Sequence, residues 1–192
     1  IIVDFVDPVD GPAGVAAFVA SSDPQRLHID LHDFPSTNQP HGGVPNVYSD
    51  RIIAHEFVHI AMNANGVRQG VERWFNEGAA ELIHGSADSR VQSFNLTDIA
   101  EAFNSNADGI AGTPDDINYT GSYLAAAFLH QEVKVAGGNG LRDVFDELRT
   151  NGNNLSAAVA TTTGYADLDA FKNSFTAGEG ETLANTLRNG AN

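Results

Sequence analysis

The five residues His55-Glu56-Phe57-Val58-His59 make chemical sense on an α-helix. There a spacing of four residues is about one turn, so both imidazoles leave the same face and reach a single ion. Two such nitrogens suit a tetrahedral Zn²⁺. Glu56 is offset from that stripe and stands beside the ion, where a general base belongs. The pattern implies one reaction class, attack of a metal-activated water on a carbonyl.

The flanking residues supply the helix. Ser49-Asp50 offers an N-cap before Arg51-Ile52-Ile53-Ala54, and Ile52, Val58, Ala61 and Met62 recur at helical spacing. Gly66 is a natural stop. A catalytic zinc needs a third protein ligand and one open position. The next segment, from Trp74 to Gly85, reads as a second helix on which Glu77 and Glu81 share a face. We assign Glu77 as the third ligand. Glu81 is assigned to the N–H that a ligand histidine leaves free. Both could instead be solvated surface acids, but the short connection favours folding the second helix back against the first.

His55-Glu56-x-x-His59, followed 18 positions after His59 by Glu77-Gly78-x-Ala80-Glu81, resembles the gluzincin metallopeptidases. That group includes thermolysin-like proteases, zinc aminopeptidases and bacterial collagenases. The run Trp74-Phe75-x-Glu77-Gly78-x-Ala80-Glu81 is most similar to the collagenase branch. There the first Glu of the motif is the third zinc ligand, which maps to Glu77. The spacing is shorter than in collagenases, where an insertion separates the two helices. The segment Ile117-Asn118-Tyr119-Thr120-Gly121-Ser122-Tyr123 resembles the gluzincin stretch in which a tyrosine opens a helix and donates to the developing oxyanion. The resemblance points to Tyr119, with Tyr123 as runner-up. A phenol can do this without adding charge. The alternative is that both tyrosines simply pack with Leu124 and Phe128.

The remaining chain fits an α+β fold of the zincin-like kind. Residues 1–192 read as one metallopeptidase domain. Within it, 1–85 carry a small mixed or antiparallel sheet and both motif helices, 86–118 form a loop region, and 119–192 form a helical subdomain across a cleft. Strands are predicted at Ile1–Val6, Gly14–Ala20 and Leu27–Phe34. The last alternates apolar and polar residues and is predicted to be an edge strand that pairs with the substrate backbone. Its His28, Asp30 and His32 are read as a wet face in preference to a metal site. Pro35–Pro45 is a loop, and Leu96–Phe103 is a short helix. Asn104, Asn106, Asp108 and Asp115 match part of a calcium loop. Two Asn in place of carboxylates, and Asp for the bidentate Glu, favour a plain turn-rich loop with Ca²⁺ as the alternative. Further helices are predicted at Ser122–Val135, Leu141–Thr150, Asn154–Thr161, Ala166–Phe175 and Glu181–Leu187. His84 and His130 are read as ordinary, partly buried histidines.

A net charge of −15, with Lys134 and Lys172 as the only lysines, argues against nucleic acid and anionic membranes as partners. There is no cysteine, hence no disulfide or thiolate metal site. No run of about 18 apolar residues occurs. The start at Ile1, without a basic n-region or initiating Met, reads as a domain cut from a longer polypeptide. The wealth of Asn, Ala, Thr and Gly, and the scarcity of Lys and aromatics, resemble flagellin surface domains. Some flagellins carry a collagenase-like gluzincin as an insert, the flagellinolysins. This resemblance implies an extracellular place on a flagellar filament. The expected function is zinc-dependent endoproteolysis of protein or peptide substrates, with Glu56 as base. The alternatives are an aminopeptidase-type hydrolase and a structural or adhesive surface domain with a vestigial zinc site.

Overall fold

A computed structural model describes residues 1–6, 17–20, 22–23, 25–30, 49–67, 70–85, 91, 99, 102–103 and 115–190; for 49–50 and 115–118 it describes the backbone. The fold is mixed α+β, with helices predominating over a three-stranded sheet. Two compact units divide the chain, Ile1–Asn65 and Gly66–Asn192. The second motif helix therefore belongs with the C-terminal helices rather than with the sheet.

In the first unit, β1 (Ile2–Val6), β2 (Ala17–Val19) and β3 (Arg26–Asp30) form a sheet in the order β1-β3-β2. β1 runs parallel to β3, with Ile2 opposite Arg26, and β2 runs antiparallel to it, with Phe18 opposite His28. Arg26 pins β1 alongside, its guanidinium donating to Asp4 and, at 2.7 Å, to Asp23. Helix α1 (Ser49–Ala64) packs on β2 and β3. Leu27 and Ile29, two apart and so on one face of the strand, join Ala17, Val19 and Ile60 in the core, with Ile52 and Ile53 against them.

The expected edge strand is a central one. β3 is paired on both sides, because alternation reports which face of a strand is covered and not how many neighbours its backbone has. Its polar face is also less wet than expected. His28 stacks on the Phe18 ring with centroids 4.6 Å apart, and Asp30 is 1% exposed. Residues 31–34 of the expected strand, His32 among them, and the Pro35–Pro45 loop lie outside the described residues.

The second unit is helical: α2 (Arg73–His84), α3 (Asp115–Val135), α4 (Leu141–Thr150), α5 (Leu155–Thr162), α6 (Leu168–Ser174) and α7 (Gly180–Arg188). A kink within Phe175–Glu179, where Gly178 has φ 139°, joins the last two. Asn154 and Asp167 cap α5 and α6, accepting the N–H groups of Ala157 at 3.0 Å and Ala170 at 2.8 Å. α3 starts seven residues before the predicted Ser122. The Asp115-Asp116 pair, read as the end of a loop, instead opens a helix. Among the described residues, no helix is long and apolar enough to cross a membrane.

α2 lies directly on α3. Gly78 makes that approach possible: a Cβ there would collide with the Ser122 carbonyl and come within 3.0 Å of Ala126 Cβ. Overpacking costs about 1–3 kcal/mol, and here the obstacle is backbone, which cannot rotate away. Alanine gains about 1 kcal/mol in helix propensity over glycine. We expect Gly78→Ala to lose up to about 2 kcal/mol net, read as a lower urea midpoint. A variant as stable as the parent would show that the crossing can relax.

The turn between α3 and α4 holds a pH-dependent contact. Leu141 N–H donates to His130 Nδ1 at 3.4 Å. Burial, and then the nearby Lys134 charge, push the His130 imidazole below its ordinary value. The folded state therefore binds this proton less readily than the unfolded chain does. The contribution is intact above about pH 6.5 and is lost as the pH falls through the lower folded value. In His130→Gln, the fall of Tm between pH 7 and pH 5 should be shallower. An unchanged slope would remove His130 from the acid limb.

Candidate metal centre

Helix α1 presents the histidines by burying the rest of itself. Ile52, Ile53 and Ile60 face the sheet. On that helix His55 and His59 are 8% and 2% exposed, buried further than a solvated histidine would be. Their rings meet edge to face at 4.7 Å, and the two Nε2 atoms face each other 3.0 Å apart. Two nitrogens bound to one tetrahedral zinc at about 2.0–2.1 Å stand about 3.3 Å apart. The donor pair therefore has the separation that a shared ion requires. Glu56, the next residue after His55, is half-buried and keeps contact with solvent.

Helix α2 presents the carboxylate. It is closed at its C-terminus by Gly85 in the left-handed region (φ 76°), whose N–H bonds to the Glu81 carbonyl at 3.3 Å. Trp74, Phe75, Ala79 and Ala80 are buried and fix the rotation of the helix. Glu77 is half-buried. His55, His59 and Glu77 each offer one ligand atom, and these atoms all lie within 4.8 Å of one another. The structure thus brings together the three residues assigned as ligands, and this group can hold a metal ion. Two neutral nitrogens and a carboxylate oxygen form a donor set that suits a borderline divalent cation.

Glu81 is also drawn in, in company that the sequence reading missed. His84 Nε2 stands 3.2 Å from Glu81 Oε1, with each side chain 4% exposed. His84 is partly buried, as expected, and the structure adds its partner, the buried Glu81 carboxylate. The signal was available: 77, 81 and 84 follow the i, i+4, i+7 stripe of one helix face.

Tyr119 and Tyr123 lie one turn apart on α3, flanking Ser122, the residue against which Gly78 packs. Tyr123 is buried, as the packing alternative anticipated, whereas Tyr119 is only half-buried. Of the residues that match part of a calcium loop in sequence, Asn104, Asn106 and Asp108 lie outside the described residues, and Asp115 is the first residue of α3. Comparisons with protein-family models, with curated proteins and with solved structures found no match for this chain.

Proposed function

We propose that this chain is a zinc-dependent endopeptidase of the gluzincin type. The observation that carries the reading is the convergence of His55, His59 and Glu77, with Glu56 adjoining in the chain. His55, His59 and Glu77 would hold the ion. When bound, zinc polarises a carbonyl and lowers the pKa of its water towards about 7. Glu56 takes the proton of the attacking water and passes it to the leaving amine. Its half-exposed position supports that role, since it must meet both water and substrate. Tyr119 donates its O–H to the oxyanion as negative charge develops there. Protein and peptide chains are the substrates in this reading.

The test uses the purified protein and a peptide blocked at both ends. Hydrolysis should disappear on dialysis against a chelator and return with stoichiometric Zn²⁺. New internal termini, read by mass spectrometry, would separate endoproteolysis from an aminopeptidase, which needs a free amine. Zinc bound without turnover of any peptide or protein would favour the structural or adhesive alternative. Glu77→Gln should weaken zinc retention at least tenfold in a chelator competition. Retention equal to the parent's would move the ligand role away from Glu77.

A further inference from the structure

We propose that Asn153 is a clasp on the chain just after α1, and that it shields the Gly66-Val67 stretch from proteolytic attack. Both partners of the clasp belong to the second unit.

A boundary between compact units is where a chain is ordinarily exposed, loosely held and easily nicked. Gly66 is the first residue of the second unit. It is exposed, and its backbone is left-handed (φ 72°). A protease must draw several residues into an extended form, and a glycine alone offers little resistance to that. Two contacts supply the resistance. Val67 is buried, at 1% exposed. Asn153 Nδ2 donates to the Gly66 carbonyl at 2.8 Å, across 87 positions of sequence.

The turn between α4 and α5 is arranged so that Asn153 can do this. Its φ is 64°, and among the described residues it alone, glycines aside, has a positive φ. Glycine takes that conformation without steric penalty, so a side chain kept there has a use. The turn itself is held by other groups. Asn153 N–H donates to the Leu148 carbonyl at 3.0 Å. Asn151 Nδ2 donates to the Asn154 carbonyl at 3.0 Å, and Asn151 Oδ1 accepts the Asn154 N–H at 2.9 Å. Asn154 Oδ1 caps α5. These bonds hold the turn without the Asn153 side chain, whose amide is left for Gly66. On the endopeptidase reading proposed above, the same clasp guards the protein against its own activity.

The test digests the whole protein with a serine elastase, which cuts after small aliphatic residues such as Val67. A chelator is present throughout to silence metal-dependent self-cleavage. New termini are read by mass spectrometry, and the rate of cutting after Val67 is divided by the rate at all other sites. Asn153→Gly keeps the left-handed turn and removes the amide. Asn153→Asp keeps the size but presents a carboxylate, which cannot donate. Each should raise the ratio about 2- to 10-fold, the gain in open population expected on losing one hydrogen bond. The parental ratio in Asn153→Gly would overturn the proposal. So would faster cutting everywhere at an unchanged ratio, which reports a looser fold and not an opened clasp. No cut after Val67 in any of the proteins would overturn it as well. If Asn153→Gly loses its helical circular dichroism, Asn153→Asp decides alone by the same criterion. Failure of the endopeptidase reading looks different. With zinc and no chelator, the variants would then show no self-cleavage, however fast elastase cuts them.

Discussion

Glu56→Gln should retain a full equivalent of zinc and lose about 10²- to 10⁴-fold in kcat on an end-blocked peptide. That range corresponds to about 2.7–5.4 kcal/mol of transition-state stabilisation. The substitution is nearly isosteric and helix propensity barely changes, so α1 keeps its place and His55 and His59 keep theirs. What is removed is the capacity to accept a proton. The pairing of the two readouts gives the experiment its force. Loss of hydrolysis with loss of metal would report a damaged site, while loss of hydrolysis with metal retained isolates the base. Parental kcat in a zinc-loaded Glu56→Gln protein would remove Glu56 from the chemistry.

Trp74→Ala should cost about 3–5 kcal/mol, among the largest effects available to a single core truncation. Trp74 is 0% exposed. Its ring meets Phe75, Phe103 and Phe171 at centroid distances of 5.8, 5.2 and 5.9 Å. Its Nε1–H donates to Glu72 Oε2 at 2.7 Å, and the same oxygen receives Lys172 Nζ at 2.6 Å from a hundred residues away. The ammonium also lies over the Phe103 ring at 5.6 Å. Alanine would open a cavity among three aromatic rings and remove one of the two donors to Glu72 Oε2. Since a domain is stable by only about 5–15 kcal/mol, the loss is a large fraction of the whole. Urea unfolding followed by circular dichroism gives the number. A midpoint within error of the parent's would show that the aromatic cluster repacks around the gap.

The helical part of the fold was legible because its signals are local. Leu141–Thr150 is placed as its apolar spacing predicts, and Asn154 and Asp167 mark the starts of their helices by capping them. The grouping of His55, His59 and Glu77 was legible because a metal would demand residue types at spacings that a helix enforces. Pairing was not legible. The partners of β3 are set by residues distant in sequence, and alternation within 26–30 carries no record of them. Asp115-Asp116 was misread because acidic residues serve loops and helix starts equally well. His84 was passed over for a related reason. A lone histidine is uninformative until its neighbour is known to be a buried carboxylate, and burial is a property of the folded chain. Gly78 belongs to the recognised motif, yet its task is to admit the Ser122 carbonyl, a contact that its own segment does not announce.

The chain contains a single tryptophan, and it lies three residues ahead of Glu77 in the same helix. Its ultraviolet emission is therefore a native optical label for α2. While the indole is sealed among phenyl rings it should emit at short wavelength, and any red shift would signal that this helix has opened to solvent. The tryptophan-free unit, Ile1–Asn65, adds no such signal, so the two units can be followed separately by comparing emission with the circular dichroism of the whole chain.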